Sequence, residues 1–235
     1  RGPTRDGIAG DSAAPVKWSA TDNIAWKTSV PGRGHSSPTV IGSLVVMQTA
    51  DEKAKTQSVI AFDRKTGRKL WQTTTNTGGF PARINRKNTH ASPTVAADGS
   101  RLFSVSNHHQ GIHVSGLDMA GKILWQKNIG PFRPDEYKNG YAASPIVHGK
   151  NLIVLAECDD TSYMVSLDRA TGKLVWRTPR PSRISYSSPI LAHVAGRQQV
   201  LISGCDRVAA FDPDTGKGLW EVPATTMATS GTMVW

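Results

Sequence analysis

The sequence predicts an all-β chain, a β-propeller of four-stranded antiparallel blades. Three observations carry that expectation. A hairpin motif ending in Trp recurs along the chain, with Trp-to-Trp steps of 45, 54, 51 and 44 residues from Trp26 through Trp71, Trp125, Trp176 and Trp220. A Ser-Pro dipeptide precedes each full copy, at Ser37, Ser92, Ser144 and Ser188. The 22 Gly and 14 Pro favour frequent turns over long helices. Repeats at this spacing indicate stacked supersecondary units that bury their faces against one another.

Each element of the unit has a physical reading. A short apolar strand follows Ser-Pro, and a glycine turn (Gly42, Gly99, Gly149, Gly196) leads into a second strand at Leu44, Leu102, Leu152 or Val200. The third strand ends at Asp63, Asp118, Asp168 or Asp212. There the chain reverses through Gly67, Gly121, Gly172 or Gly216, where Gly supplies a positive φ and Asp accepts hydrogen bonds from turn amides. A fourth strand then carries the Trp, which fills the gap between neighbouring sheets. Four short strands per roughly 45 residues describe a propeller blade. The blades are expected over 37–71, 92–125, 144–176 and 188–220. Residues 17–28, with Trp26, read as the outer strand of a closing blade, and 229–235 as the inner strand of an incomplete next one.

The Asp-x-x-Thr-Gly-Lys-x-x-Trp hairpin resembles the tryptophan-docking repeat of pyrroloquinoline-quinone (PQQ)-like propellers. That group holds quinoprotein alcohol dehydrogenases and also non-enzymatic members, such as the propeller lipoprotein of the outer-membrane β-barrel assembly machinery. The opening Arg1-Gly2-Pro3-Thr4-Arg5-Asp6-Gly7-Ile8, with Gly34-His35-Ser36-Ser37-Pro38 and Asn88-Thr89-His90-Ala91-Ser92-Pro93, is similar to secreted planctomycete-type PQQ-repeat proteins. The resemblance implies an extracytoplasmic bacterial location, periplasmic or secreted, and a ring closing at seven or eight blades. About four blades are legible, so the chain reads as part of such a ring. Pairing of two half-rings and a closed four-bladed ring are the alternatives.

Composition excludes other classes. The chain has 235 residues and a net charge of +10. Its two Cys cannot build a disulfide scaffold or a four-cysteine zinc site. No apolar run approaches the ~20 residues of a membrane-spanning helix. The chain opens at Arg1 without a secretory signal, as a processed chain or a piece of a longer one would.

The charge falls mainly between each Trp strand and the next Ser-Pro. These segments hold Lys27 and Arg33; Arg83, Arg86 and Lys87; Lys127, Arg133 and Lys138; and Arg177, Arg180 and Arg183. Only Asp135 and Glu136 oppose them. In a propeller such connections emerge on one face, where a positive field would attract anions, or would serve simply as a solvated surface. Two residues before the repeated Ser stand His35, His90, Ala142 and Tyr186, with Tyr141 beside Ala142. His35, His90, Tyr141 and Tyr186, with Arg33, Arg83, Arg86, Lys87 and Arg183, are therefore the candidate ligand-binding residues at the channel mouth. The bland alternative has the rings packing over the inner strands. No metal site is expected: His108, His109 and His113 read as an exposed hairpin tip, and Glu157, Asp159 and Asp160 as a solvated acidic loop. Cys158 and Cys205 read as free, partly buried thiols.

Two functions follow. A binding scaffold needs only a rigid repeat and a decorated face, with an envelope protein or an anionic glycan as partner. No nucleic acid is expected, because no aromatic-interleaved basic motif accompanies the charge, and no cofactor. The alternative implied by the resemblance is a PQQ-dependent dehydrogenase holding PQQ with Ca²⁺ on the propeller axis. The Cys-Cys pair common in that class is absent, and no residue matches its catalytic base, so no catalytic residue is assigned.

Overall fold

A computed structural model describes residues 15–234. The Arg1–Ile8 motif and Trp235 lie outside the described residues. Sixteen strands form four antiparallel sheets. The first holds β1 (Thr39–Ile41), β2 (Leu44–Asp51), β3 (Thr56–Asp63) and β4 (Lys69–Thr77), and the second β5 (Ala96–Ala97), β6 (Arg101–His108), β7 (Gly111–Asp118) and β8 (Ile123–Pro131). The third holds β9 (Ile146–His148), β10 (Asn151–Ala156), β11 (Tyr163–Asp168) and β12 (Leu174–Pro179). The fourth holds β13 (Ile190–Val194), β14 (Arg197–Gly204), β15 (Arg207–Phe211) and β16 (Gly218–Pro223). Within each sheet the strands pair in sequence order, so each sheet is a meander, and the inner strands adjoin in the order β1, β5, β9, β13. This is the propeller arrangement of four blades.

The middle strands read as near-continuous apolar runs because each sheet is covered on both faces. In the first blade, Leu44, Val46, Val59 and Ala61 face the second blade's Val95, Leu102 and Leu117. The alternate residues Val45, Ile60 and Phe62 turn to the opposite face, where Trp26 packs on them. A large cluster with Phe103, Val114, Leu152, Met164 and Val200 fills the seams between the second, third and fourth blades. The Ser-Pro segments stitch the inner strands together: Thr94 N donates to Ser144 Oγ and Ser144 N to Ser188 Oγ, both at 2.9 Å.

The Trp hairpin is the seam's clasp. In four of the hairpins the indole N–H donates to the carbonyl of the residue that follows the motif Asp of the next repeat. Trp26 reaches Arg64 O (2.9 Å), Trp71 Met119 O (3.2 Å), Trp125 Arg169 O (3.1 Å) and Trp176 Pro213 O (3.3 Å). The ring lies on the turn glycine of that blade. Gly172 has φ +70° and a Cβ there would meet the Trp125 ring, so both backbone and space require glycine. The turn is held by the Asp: Asp168 Oδ1 accepts from Ala170 N, Thr171 N and Thr171 Oγ1 at 3.1, 2.8 and 2.7 Å. Thr171's hydroxyl, against the burial that opposes it, holds the Asp168 carboxyl below its usual range, aided by these amides.

Two expected strands are absent. Residues 17–28 and 229–234 carry no strand pairing, although Trp26 docks as an outer-strand Trp would. A strand requires a continuous ladder, and Thr229 O and Gly231 O accept only isolated bonds, from Tyr186 N, Ser185 Oγ and Ser203 Oγ.

Candidate functional site

The outer strands run beyond the Trp, to Thr77, Pro131, Pro179 and Pro223. Lys127 and Arg177 therefore lie in β8 and β12 rather than in connections. Arg177 stacks 3.8 Å from the Tyr163 ring centroid and donates to Ile129 O at 2.8 Å, which makes it a link between the second and third blades.

The connection face is also less positive than the connecting segments alone indicate. The turns between second and third strands emerge on the same side. They bring Asp51, Glu52, Glu157, Asp159, Asp160 and Asp206 against Lys53 and Lys55, four net negative charges that offset part of the connections' positive charge. Contacts show the two sets meeting. Arg33 pairs with Glu52 (3.4 Å) and Arg133 with Asp160 (3.0 Å), while Asp159 accepts from the amides of Asp135 and Glu136. Glu157 is not in a solvated loop. It is buried against Arg180 at 2.8 Å, with side-chain exposures of 1% and 3%. Burial pushes its carboxyl above the usual range against the opposing pull of Arg180. The pair holds the start of the connection after β12 against the end of β10, and the Arg180 guanidinium lies 5.0 Å from the Phe211 ring of the fourth blade, so Arg180 is spent within the fold.

Of the candidate ligand residues, His90 and Tyr141 line one small pocket, together with Pro81, Ile84 and Gly140. His35 is exposed. His90 is half-buried and stacked on Phe80, with centroids 4.1 Å apart, and burial lowers its pKa. Tyr141 is buried, and its hydroxyl donates to Leu155 O at 2.7 Å. Tyr186 is half-buried, accepts from Asn139 Nδ2 at 2.9 Å and donates to Tyr137 O. Arg83, Arg86, Lys87 and Arg183 are exposed, and no ion pair among the described residues engages them.

Three of these cations sit on the 78–95 connection, which is firmly held. Gly78 N donates to Lys55 O and His109 N to Gly79 O, while Arg33 Nη2 donates to Arg86 O at 2.7 Å. Gln57 Nε2 donates to His90 O, and Asn88 Nδ2 to Asn139 O. Arg83, Arg86 and Lys87 are thus presented on a fixed backbone.

The same connection corrects the histidine reading. His109 and Gln110 form an exposed hairpin tip as expected, with φ of 47° and 56°, but Gly79 of the connection lies on the His109 ring and the residues below the tip are covered. His108 is consequently buried, with its centroid 3.7 Å from that of His113 and neither ring nitrogen hydrogen-bonded. Burial first, then His113 and His109, lowers its pKa to about 4. Cys158 and Cys205 are free and fully buried. Burial, then Glu157, pushes the Cys205 thiol up to about 12, which leaves it unreactive.

Among the described residues no three His, Cys, Asp or Glu side chains are placed to hold a metal. No described helix is long and apolar enough to cross a membrane.

The family model described as outer membrane protein assembly factor BamB matches residues 8–156 and 55–235. A relative of that name from Burkholderia pseudomallei is 27% identical over 203 residues, covering 83% of this chain and 46% of its own length. BamB from Moraxella catarrhalis superposes with a TM-score of 0.57 at 21% identity, over 84% of this chain and 54% of that one. A europium-containing methanol dehydrogenase also gives 0.57, at 16% identity, over 84% and 43%. The chain thus spans about half the length of these proteins, and structural likeness at such identities shows the shared fold alone.

Proposed function

Because the chain belongs to the family of the outer membrane protein assembly factor BamB, we propose that it is a non-enzymatic binding scaffold of the bacterial envelope. Its partner is an envelope protein engaged in outer-membrane protein assembly, and its docking surface is the connection face. The observation that supports this reading most directly is the 78–95 connection. Its backbone is pinned to both flanking blades, while Arg83, Arg86 and Lys87 stay exposed without ion pairs among the described residues. Rigid presentation lowers the ordering cost of binding, and unpaired cations steer an acidic partner surface.

The test is photo-crosslinking from position 82, an exposed alanine on the same connection, in envelope extracts, comparing the parent chain with the Arg83→Ala/Arg86→Ala/Lys87→Ala variant. The parent is expected to capture an outer-membrane assembly component at low salt, and the variant to lose most of that capture with an unchanged melting temperature. Equal capture by both would refute the basic connection as the docking surface. A parallel titration with PQQ, with and without Ca²⁺, is expected to leave tryptophan fluorescence unchanged. Saturable, calcium-dependent quenching would overturn the non-enzymatic reading.

A further inference from the structure

The opposite face of the blade array carries a second charge pattern, and it is the repeat itself that writes it. The turns between first and second strands and between third and fourth strands, counted with the strand residue that flanks each turn on either side, hold eleven basic residues against six acidic ones. The acids are largely used within the fold. Asp63, Asp118, Asp168 and Asp212 each cap their own turn through Oδ1. Asp98 accepts from Ser100 and Arg101 amides and pairs with Arg169 at 3.2 Å, its side chain 1% exposed. The cations point outward: Arg68, Lys122, Lys173 and Lys217, one per blade at the same position after the turn glycine, are all exposed, and no ion pair among the described residues engages them.

A second regularity lies beside the first. In every blade the register between third and fourth strands slips just before the Trp. Ala61 pairs with Trp71 but Phe62 with Lys69; Gly116 pairs with Trp125 but Leu117 with Ile123; Ser166 pairs with Trp176 but Leu167 with Leu174. The residue skipped by each bulge is Leu70, Leu124 or Val175, and a bulge re-aims the side chain it carries. These three aliphatic residues are 38%, 44% and 49% exposed, and Leu174 beside Val175 is 60% exposed. In the fourth blade the skipped residue is Leu219, which is partly buried.

We propose that this turn face is a peripheral docking surface for an anionic lipid bilayer. Each of the first three blades places a cation and an outward-turned aliphatic side chain two positions apart at one corner. The Trp clasp fixes that corner, because each turn glycine carries the preceding blade's indole. Cations draw the face to anionic headgroups, and the aliphatic side chains enter the headgroup–acyl boundary. Aliphatic rather than aromatic neighbours favour a bilayer over nucleic acid, whose bases stack on rings. The proposal is independent of the protein-docking reading, which uses the other face.

The experiment is co-sedimentation of the full chain with vesicles of phosphatidylglycerol and phosphatidylcholine, against vesicles of phosphatidylcholine alone. Binding is expected to the anionic vesicles only, and to fade with added salt. Arg68→Glu/Lys122→Glu/Lys173→Glu/Lys217→Glu, whose side chains make no turn hydrogen bond, is expected to weaken it by at least about 100-fold. Leu70→Ser/Leu124→Ser/Val175→Ser is expected to weaken it about tenfold or more. The Arg83→Ala/Arg86→Ala/Lys87→Ala variant serves as the control and is expected to bind like the parent, whatever its crosslinking shows. Circular dichroism and tryptophan emission check that each variant is folded. Undiminished vesicle binding by the glutamate variant, loss of binding in the control, or capture by heparin or duplex DNA without vesicle binding would each overturn the proposal.

Discussion

Trp125 and Trp220 occupy the same position in their hairpins and live in different surroundings. Trp125 closes the seam between the second and third blades, 9% exposed, with its N–H on Arg169 O and its ring over Gly172. Trp220 has no following turn among the described residues. It is 40% exposed and donates instead to Gln199 Oε1 of its own blade at 2.9 Å. The sheet beneath it is intact, with Ala210 paired to Trp220 just as Gly116 is paired to Trp125. The indole is therefore not what builds a blade. Its contribution comes from the neighbour it docks on, as expected for a repeat array whose stability is a sum of unit and interface terms.

The largest expected effect tests that contrast directly. Trp125→Ala should destabilise the chain by about 3–5 kcal/mol in denaturant melts through the cavity left in the seam. Trp220→Ala should cost about 1 kcal/mol or less, because much of its ring already meets water. Comparable losses at the two sites would mean that the indole acts within its own sheet.

The glycines under the rings separate backbone from packing. Gly172 and Gly149 both have positive φ, at +70° and +51°, but a Cβ at Gly149 meets nothing within 4 Å whereas at Gly172 it meets the Trp125 ring. Gly149→Ala should therefore cost only the backbone term, about 1 kcal/mol. Gly172→Ala should cost roughly 2–4 kcal/mol and perturb Trp emission. Equal costs would show that the ring is not confined by the turn.

The smallest effect concerns the seam at the first connection. With the folded pKa of His108 at about 4 and the usual value at 6.5, the unfolded chain holds the extra proton between them. The stability from keeping this ring neutral is complete above about pH 6.5 and drains away as pH falls toward 4, up to roughly 2–3 kcal/mol. Urea midpoints measured from pH 7 to pH 4 should fall less steeply in His108→Leu than in the parent. Parallel slopes would remove His108 as the cause.

The fold was legible because a propeller blade writes itself locally. The Asp, Gly and Trp of each hairpin are fixed by turn φ, by the amides the Asp caps and by the ring's seat, and all three recur at one spacing. The Ser-Pro positions were legible for the same reason. The charge of each face was not, since it depends on which turns emerge together. Asp159 and Arg133 sit on one face because second-to-third-strand turns and blade connections share a side, and that is a property of the assembled sheets. Glu157 and His108 were misread as exposed because both stand in polar stretches, Glu157-Cys158-Asp159-Asp160 and Asn107-His108-His109-Gln110. Only the packed array shows a connection folding over them. Sequence by itself determined the blade, its turns and the partner-seeking indole, all set by contacts within about a dozen residues or by a repeating neighbour. Tertiary structure alone decided which charges meet, which are buried and which remain free, because those depend on residues brought together from different blades.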